Sequence, residues 1–191
     1  MRRRSVLLSA VSGALTGALA LRRTTTAQEA TPSARVHHPI IGAWLVMNPS
    51  DPLNTRPAIF AADGTLTIAY VPSSADPERG VVLQGPAIGV WEPSGERRVH
   101  LTYVQALSDL NGTYLGTRTR DAYPEVSEDG QSFRDDGTQV HITVRDAANT
   151  IVNEASGGGA EAATRQVHAI RMQVGNPGFP EGTPMAGTPT G

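Results

Sequence analysis

Between residues 36 and 174 apolar positions alternate with polar ones or gather in short β-branched runs, and the runs end at turn dipeptides. These are Asp63-Gly64, Ser94-Gly95, Asn111-Gly112, Asp129-Gly130 and Asp136-Gly137. Gly takes the positive φ that a tight hairpin turn needs, and Asn or Asp tolerates it beside Gly. The intervening runs predict strands at Ile40–Met47, Pro57–Ala61, Thr65–Val71, Ala87–Glu92, Arg98–Leu107, Thr113–Val126, Ser132–Asp135, Thr138–Arg145, Thr150–Asn153 and Thr164–Val174,. No window keeps an i, i+3, i+4, i+7 apolar pattern over three turns, so no long helix is expected. Neighbouring hairpins make a meander, and closing a meander into a barrel removes its two exposed edges. The expected fold is all-β, an antiparallel up-and-down barrel of about eight to ten strands. Val71–Gly85 opens with Pro72-Ser73-Ser74-Ala75-Asp76-Pro77 and reads as a rim loop or lid before a short apolar run at Val81–Leu83,.

The ends of the chain lack this pattern. Met1–Ala27 has the layout of an export signal: Arg2–Arg4, a mildly apolar stretch over Ser5–Leu21, and small residues at Thr25–Ala27,. The apolar stretch is short for a span, which needs about 20 residues. Arg3-Arg4-Ser5-Val6-Leu7 resembles a twin-arginine motif, so the expected location is outside the cytoplasm, secreted or in the cell envelope, with no stable membrane anchor once the signal is removed,. Residues 28–35 read as a flexible lead-in and residues 36–174 as the barrel domain. Residues 175–191 form a Pro/Gly-rich tail that cannot bury enough apolar surface to offset its ordering entropy,.

Composition narrows the chemistry. The 191 residues include 20 Gly and 14 Pro, which suits turns and the tail better than helices,. There is no Cys, which excludes disulfides, thiolate metal sites and cysteine nucleophiles, and all 16 basic residues are Arg, which excludes Schiff-base chemistry,. The net charge of −2 belongs to the whole chain; without residues 1–27 there are 11 Arg against 18 acidic residues, a net charge of −7. An acidic chain with scattered Arg is a poor partner for nucleic acid or anionic membranes. There is no Gly-x-Ser-x-Gly, His-Glu-x-x-His, phosphate loop or Asp-rich calcium loop, and Glu92, Asp121 and Glu125 stand in no recognisable spacing with His or Ser,. This favours a binding module over a catalyst.

Gly42-Ala43-Trp44 on the first strand and Arg171 on the last resemble the lipocalin and wider calycin pattern. The ordered series Phe60…Asp63-Gly64-Thr65, Gly89-Val90-Trp91-Glu92, Leu101–Val104 and Asn111-Gly112…Leu115-Gly116-Thr117 is similar to bacterial secreted lipocalin-like domains. The resemblance implies that Trp44 plugs one end of the barrel, with the Arg171 guanidinium over its ring. It also implies a binding barrel for a small apolar or acidic molecule. The candidate lining comprises Phe60, Tyr70, Trp91, Tyr103, Arg118 and His168. His168 shares strand parity with Ile170 and Met172 and is read as inward; on the same ground His141 is read as outward. Arg118 and Arg120 share a face with Tyr114. Inward they would form an anion pocket; outward they would pair with acids on neighbouring strands, and the sequence favours the outward reading. No metal or other cofactor is expected; haem on His168 is the one cofactor worth testing. Alternatives are a small barrel isomerase or cyclase of the allene-oxide-cyclase or dirigent kind, and a solid barrel serving structure or interaction. Nothing in the sequence sets an oligomeric state.

Overall fold

The computed structural model describes residues 35–179 apart from 78, 160 and 161, with only the backbone at 52 and 53. The expected export signal, nearly all of the expected lead-in and residues 180–191 of the expected tail lie outside the described residues. The described residues form twelve strands and a short helix: β1 (Gly42–Asn48), β2 (Asp51–Phe60), β3 (Thr65–Ile68), β4 (Ser73–Asp76), β5 (Gly80–Pro93), β6 (Val99–Ser108), β7 (Tyr114–Ala122), β8 (Glu125–Val126), β9 (Ser132–Asp135), β10 (His141–Asp146), β11 (Ile151–Ser156), α1 (Ala162–Arg165) and β12 (Val167–Arg171). No described helix is long and apolar enough to cross a membrane. All strand pairs are antiparallel, along the path β11-β10-β7-β6-β5-β3-β2-β1-β12-β9-β8, with β4 beside β5.

Register reduces the twelve strands to eight staves. β3 sets Thr65 opposite Val90 and β4 sets Ser73 opposite Leu83, a one-residue slip within one bent stave,. β7 and β8 hold a single register against β6, with Thr102 opposite Asp121 and Arg98 bridged to Glu125. The sequence predicts one strand here; Pro124 interrupts it because it has no N–H to give the ladder. β9 with β10, and β11 with β12, are similarly broken staves facing β8/β7 and β9/β10. At one end the path closes on itself. Val99 N donates to Pro124 O (3.0 Å) and Val126 N to Arg97 O (2.9 Å), joining β8 to the start of β6. At the other end β10 and β11 rise as a hairpin, and β11 has a strand partner on one side only among the described residues. The fold is thus an up-and-down antiparallel barrel, ringed at one end and a half-barrel at the other.

The stretch Val71–Gly85 is a hairpin and not a rim loop: β4 pairs with the Val81–Leu83 run at the start of β5. The polar composition of β4 conceals this, because an edge segment can pair through its backbone while its side chains remain partly exposed,. The body also extends past Val174, where Gln173 bonds to Asn176 and Gly178 lies against Ile170.

Alternation decides what is inside. On β6 Val99, Leu101, Tyr103, Gln105 and Leu107 are buried, while Val104 and Ala106 are exposed. At the ringed end Trp44, Phe133, Phe60 and Trp91 meet edge to face in a chain, with centroids 5.0, 5.9 and 6.3 Å apart. Such contacts add to the apolar burial of the rings. The Trp44 indole N–H donates to Ile40 O (2.7 Å), and the Arg171 guanidinium lies 4.2 Å from the Trp44 ring centre. Arg171 also donates to the carbonyls of Ile41 (2.9 Å), Gly130 (2.6 Å) and Pro39. Gly42 has φ +133°, and a Cβ there would stand 2.7 Å from Arg171 Nη1, so both backbone shape and space call for glycine,.

Two expected orientations are reversed. β12 pairs Arg171 with Trp44, and this parity turns Val167 and Ala169 inward and leaves His168 exposed outside. The inward reading of His168 was incompatible with Arg171 over Trp44, since the two residues are an odd number apart. The register of β7 sets Arg120 opposite Tyr103 and Arg118 opposite Gln105, so both arginines share the inner face.

Candidate functional site

Above the aromatic floor the inward positions become polar. Arg56 comes from β2, Tyr70 from the bend after β3, Tyr103 and Gln105 from β6, Arg120 from β7 and Asp135 from the end of β9. They occupy the same parity as the core residues of their strands, so the alternation that builds the floor also delivers charge to the interior. Arg56, Tyr103, Arg120 and Asp135 line a cleft with Val46, Phe60, Ile68, Leu101, Phe133 and other apolar groups. Its free volume is about 30 Å³, room for a small headgroup or one or two waters,.

The polar groups only partly satisfy one another. The hydroxyls of Tyr70 and Tyr103 are 2.5 Å apart. Burial, and then the neighbouring Tyr103, push the Tyr70 phenol upward in pKa, so it stays protonated,. Arg56 lies 4.8 Å over the Tyr70 ring and donates through Nη1 to Asn54 Oδ1 (3.0 Å). Arg120 Nη2 donates to Arg165 O (2.8 Å) and stands 4.0 Å from Asp135 Oδ2. Asp135 Oδ1 accepts from Gly137 N (2.8 Å). Three buried atoms of this layer have no hydrogen-bond partner: Arg56 Nε, Gln105 Oε1 and Asp135 Oδ2. The cleft therefore sets two guanidinium groups against one carboxylate, with donors and acceptors unspent in an apolar surround. Burying such groups unpaired costs about 1–3 kcal/mol each.

Of the expected lining, Phe60 and Tyr103 face the cleft and Tyr70 joins through its bond to Tyr103. Arg118 lies two residues from Arg120 on the same inner face. Trp91 belongs to the floor, its indole N–H donating to Ala61 O (3.0 Å). His168 is exposed on the outer face, away from the interior cleft. Sequence reasoning missed Arg56 and Asp135. Arg56 is signalled by parity, being four residues before Phe60; Asp135 ends the expected strand Ser132–Asp135 on the same parity as Phe133, and its bond to Gly137 N also ties it to the turn that follows.

A second polar group lies on the outer face. His100 Nε2 is 3.0 and 3.1 Å from the Asp121 carboxylate oxygens, its Nδ1 is 3.6 Å from Glu92 Oε1, and its ring stacks on Tyr123 at 4.5 Å. Glu92 lies opposite His100 and Asp121 opposite Thr102, a proximity created by register and invisible in linear spacing. Among the described residues, no cluster of three or more His, Asp or Glu side chains has a geometry that could hold a metal ion. Comparison of the chain with protein-family models, curated proteins and solved structures finds no match.

Proposed function

We propose that the protein is an exported, lipocalin-like binding barrel for a small organic acid. Arg56 and Arg120 hold the carboxylate, and Phe60, Ile68 and Leu101 face the apolar part. The observation that carries this reading is the interior charge imbalance: two arginines and one aspartate line an apolar cleft in which the buried Arg56 Nε has no hydrogen-bond partner. A carboxylate would supply the missing acceptor, and charge-assisted bonds to guanidinium are the strong kind. The cleft's small volume favours a short acid over a long-chain lipid, since drug-sized pockets are about 300–1,000 Å³,.

Calorimetric titration with acetate, butyrate and hexanoate, set against alcohols of the same length, tests the reading. Acids should bind and alcohols should not, and Arg120→Gln should abolish the heat. Equal responses, or none, would overturn it. No response would support a second reading, a filled barrel without ligand, which the same small volume favours.

A further inference from the structure

Within the cleft one pair of charged side chains is held apart. Arg120 Nη2 and Asp135 Oδ2 stand 4.0 Å from each other, with 11% and 3% of the two side chains exposed. At that separation the charges attract, but a hydrogen bond needs about 2.7–3.2 Å. Both groups are tethered from outside the cleft. Asp135 Oδ1 accepts from Gly137 N (2.8 Å), and Arg120 Nη2 donates to Arg165 O (2.8 Å). The turn after β9 and the end of α1 therefore hold the gap open. Asp135 Oδ2 is left buried without a hydrogen-bond partner, and both residues line the cleft together with Arg56.

We infer that the acid bound here carries a hydroxyl on the carbon next to its carboxylate, and that this hydroxyl bridges Arg120 and Asp135; the inference rests on the reading that the cleft takes a carboxylate. Geometry is the first ground. An oxygen about 2.8 Å from both Arg120 Nη2 and Asp135 Oδ2 sees them at an angle of roughly 90°, near the tetrahedral spread of a hydroxyl's hydrogen and lone pairs. Chemistry is the second. A hydroxyl accepts from the guanidinium and donates to the carboxylate at once, whereas a methyl group does neither and an ammonium cannot accept. Charge is the third. Arg56, Arg120 and Asp135 sum to one positive charge, which the ligand's carboxylate cancels. A zwitterion would leave that charge unbalanced in an apolar surround. Size is the fourth. A free volume of about 30 Å³ keeps the two polar groups on adjacent carbons, as in a 2-hydroxy acid of two or three carbons. Arg56 Nε, the buried donor without a partner, then meets the carboxylate, and the Arg120 fork has further N–H groups to share in holding it,.

Calorimetric titration of protein purified from cells expressing the full chain, at pH 7, with glycolate, propionate and glycine is the test. The three carry a hydroxyl, a methyl and an ammonium on the same CH2–carboxylate frame. Glycolate should bind at least about tenfold more tightly than propionate, because a site with a buried acceptor rejects the analogue that leaves it unpaired. A methyl group would also displace any water in the gap without replacing its bonds. Glycine should bind more weakly than glycolate. Asp135→Asn keeps the side chain's size and an oxygen for Gly137 N, and puts an amide N–H2 where Oδ2 stood. It should narrow the glycolate preference to about threefold or less, since the hydroxyl loses its acceptor. A smaller ratio in the parent, with both acids binding, overturns the hydroxyl assignment and leaves the carboxylate reading standing. Glycine binding more tightly than glycolate overturns it as well, as does an undiminished ratio in a variant whose circular-dichroism spectrum matches the parent's. Silence from all three ligands and from the longer acids overturns the carboxylate reading itself, and this inference with it. If Asp135→Asn does not fold, the ratio in the parent decides alone.

Discussion

Single residues at the ringed end show how much can depend on one ring. Trp44 has no exposed surface, packs against Phe133 and carries Arg171 on its face. Trp44→Ala should cost about 3–5 kcal/mol, the range for deleting a buried aromatic ring, and chemical denaturation measures it directly. An unchanged midpoint would refute the plug role. Gly42→Ala should cost about 1–3 kcal/mol, because any other residue is strained at φ +133° and its Cβ would displace Arg171 Nη1,. His38, 5.7 Å from Trp91, behaves differently: burial holds its pKa below the ordinary histidine value, and the Gly95 and Arg98 carbonyls offset only part of this. With the folded pKa depressed, its contribution is complete above about pH 6.5 and is lost as pH falls, since the unfolded chain takes the proton first. His38→Asn, which keeps an acceptor for Ile40 N, should flatten the slope of melting temperature between about pH 7 and 5,. An unaltered slope would show that other groups set the dependence.

At the scale of strands and turns, aspartates recur where the chain reverses. Asp63, Asp109, Asp129 and Asp136 all have carboxyls held below the usual aspartate range by local hydrogen bonds. The leading donor is the Thr65, Ser127 and Thr138 hydroxyl for Asp63, Asp129 and Asp136, and the Thr113 amide for Asp109. Depressed carboxyl pKa values give stability that is present above the unfolded value and lost as pH falls through the folded one, here below about pH 4. Asp109→Ala, which removes acceptors from Asn111 N and Thr113 N (both 2.8 Å), should therefore lower the melting temperature at pH 7 and have less effect near pH 3,. An equal effect at both would mean that the turn owes nothing to the charge. These turns were legible because Asp-Gly and Asn-Gly state their geometry locally. Strands Ser132–Asp135 and Thr65 onward were legible for the same reason. β4 was not, because its Ser and Asp residues pair through backbone alone. Faces were legible only from an anchor: once Arg171 is set on Trp44, parity fixes β12, and His168 must point out. The joint position of Arg56, Tyr103, Arg120 and Asp135 needs the registers of several strand pairs, and a one-residue slip in any would send its residue to the opposite face.

For the molecule as a whole, the arrangement has an energetic consequence that sets stability against binding. The aromatic floor completes the ring, and the next layer inward from the open end is the polar one, in which buried charge is only partly matched. A barrel selected for stability alone would fill that layer with apolar side chains, since replacing incompletely paired buried ions by hydrophobic residues of similar volume is often neutral or stabilising by about 1–4 kcal/mol. Arg56 is the sharpest case: it is 5% exposed, its Nε has no partner, and the carboxylate nearest to it in role, Asp135, lies beside Arg120 instead. Arg56→Met keeps an unbranched apolar stem while removing the guanidinium, its charge and its contact with the Tyr70 ring,. It should leave the melting temperature unchanged or raise it, and at the same time abolish the response to short carboxylic acids. The two readouts separate the explanations. Loss of stability would mean that Arg56 is a structural part of the barrel through Asn54 and Tyr70. A more stable protein that still binds acids would remove Arg56 from the site. Gain of stability with loss of binding is the outcome expected of a residue retained in an unfavourable place because the ligand requires it.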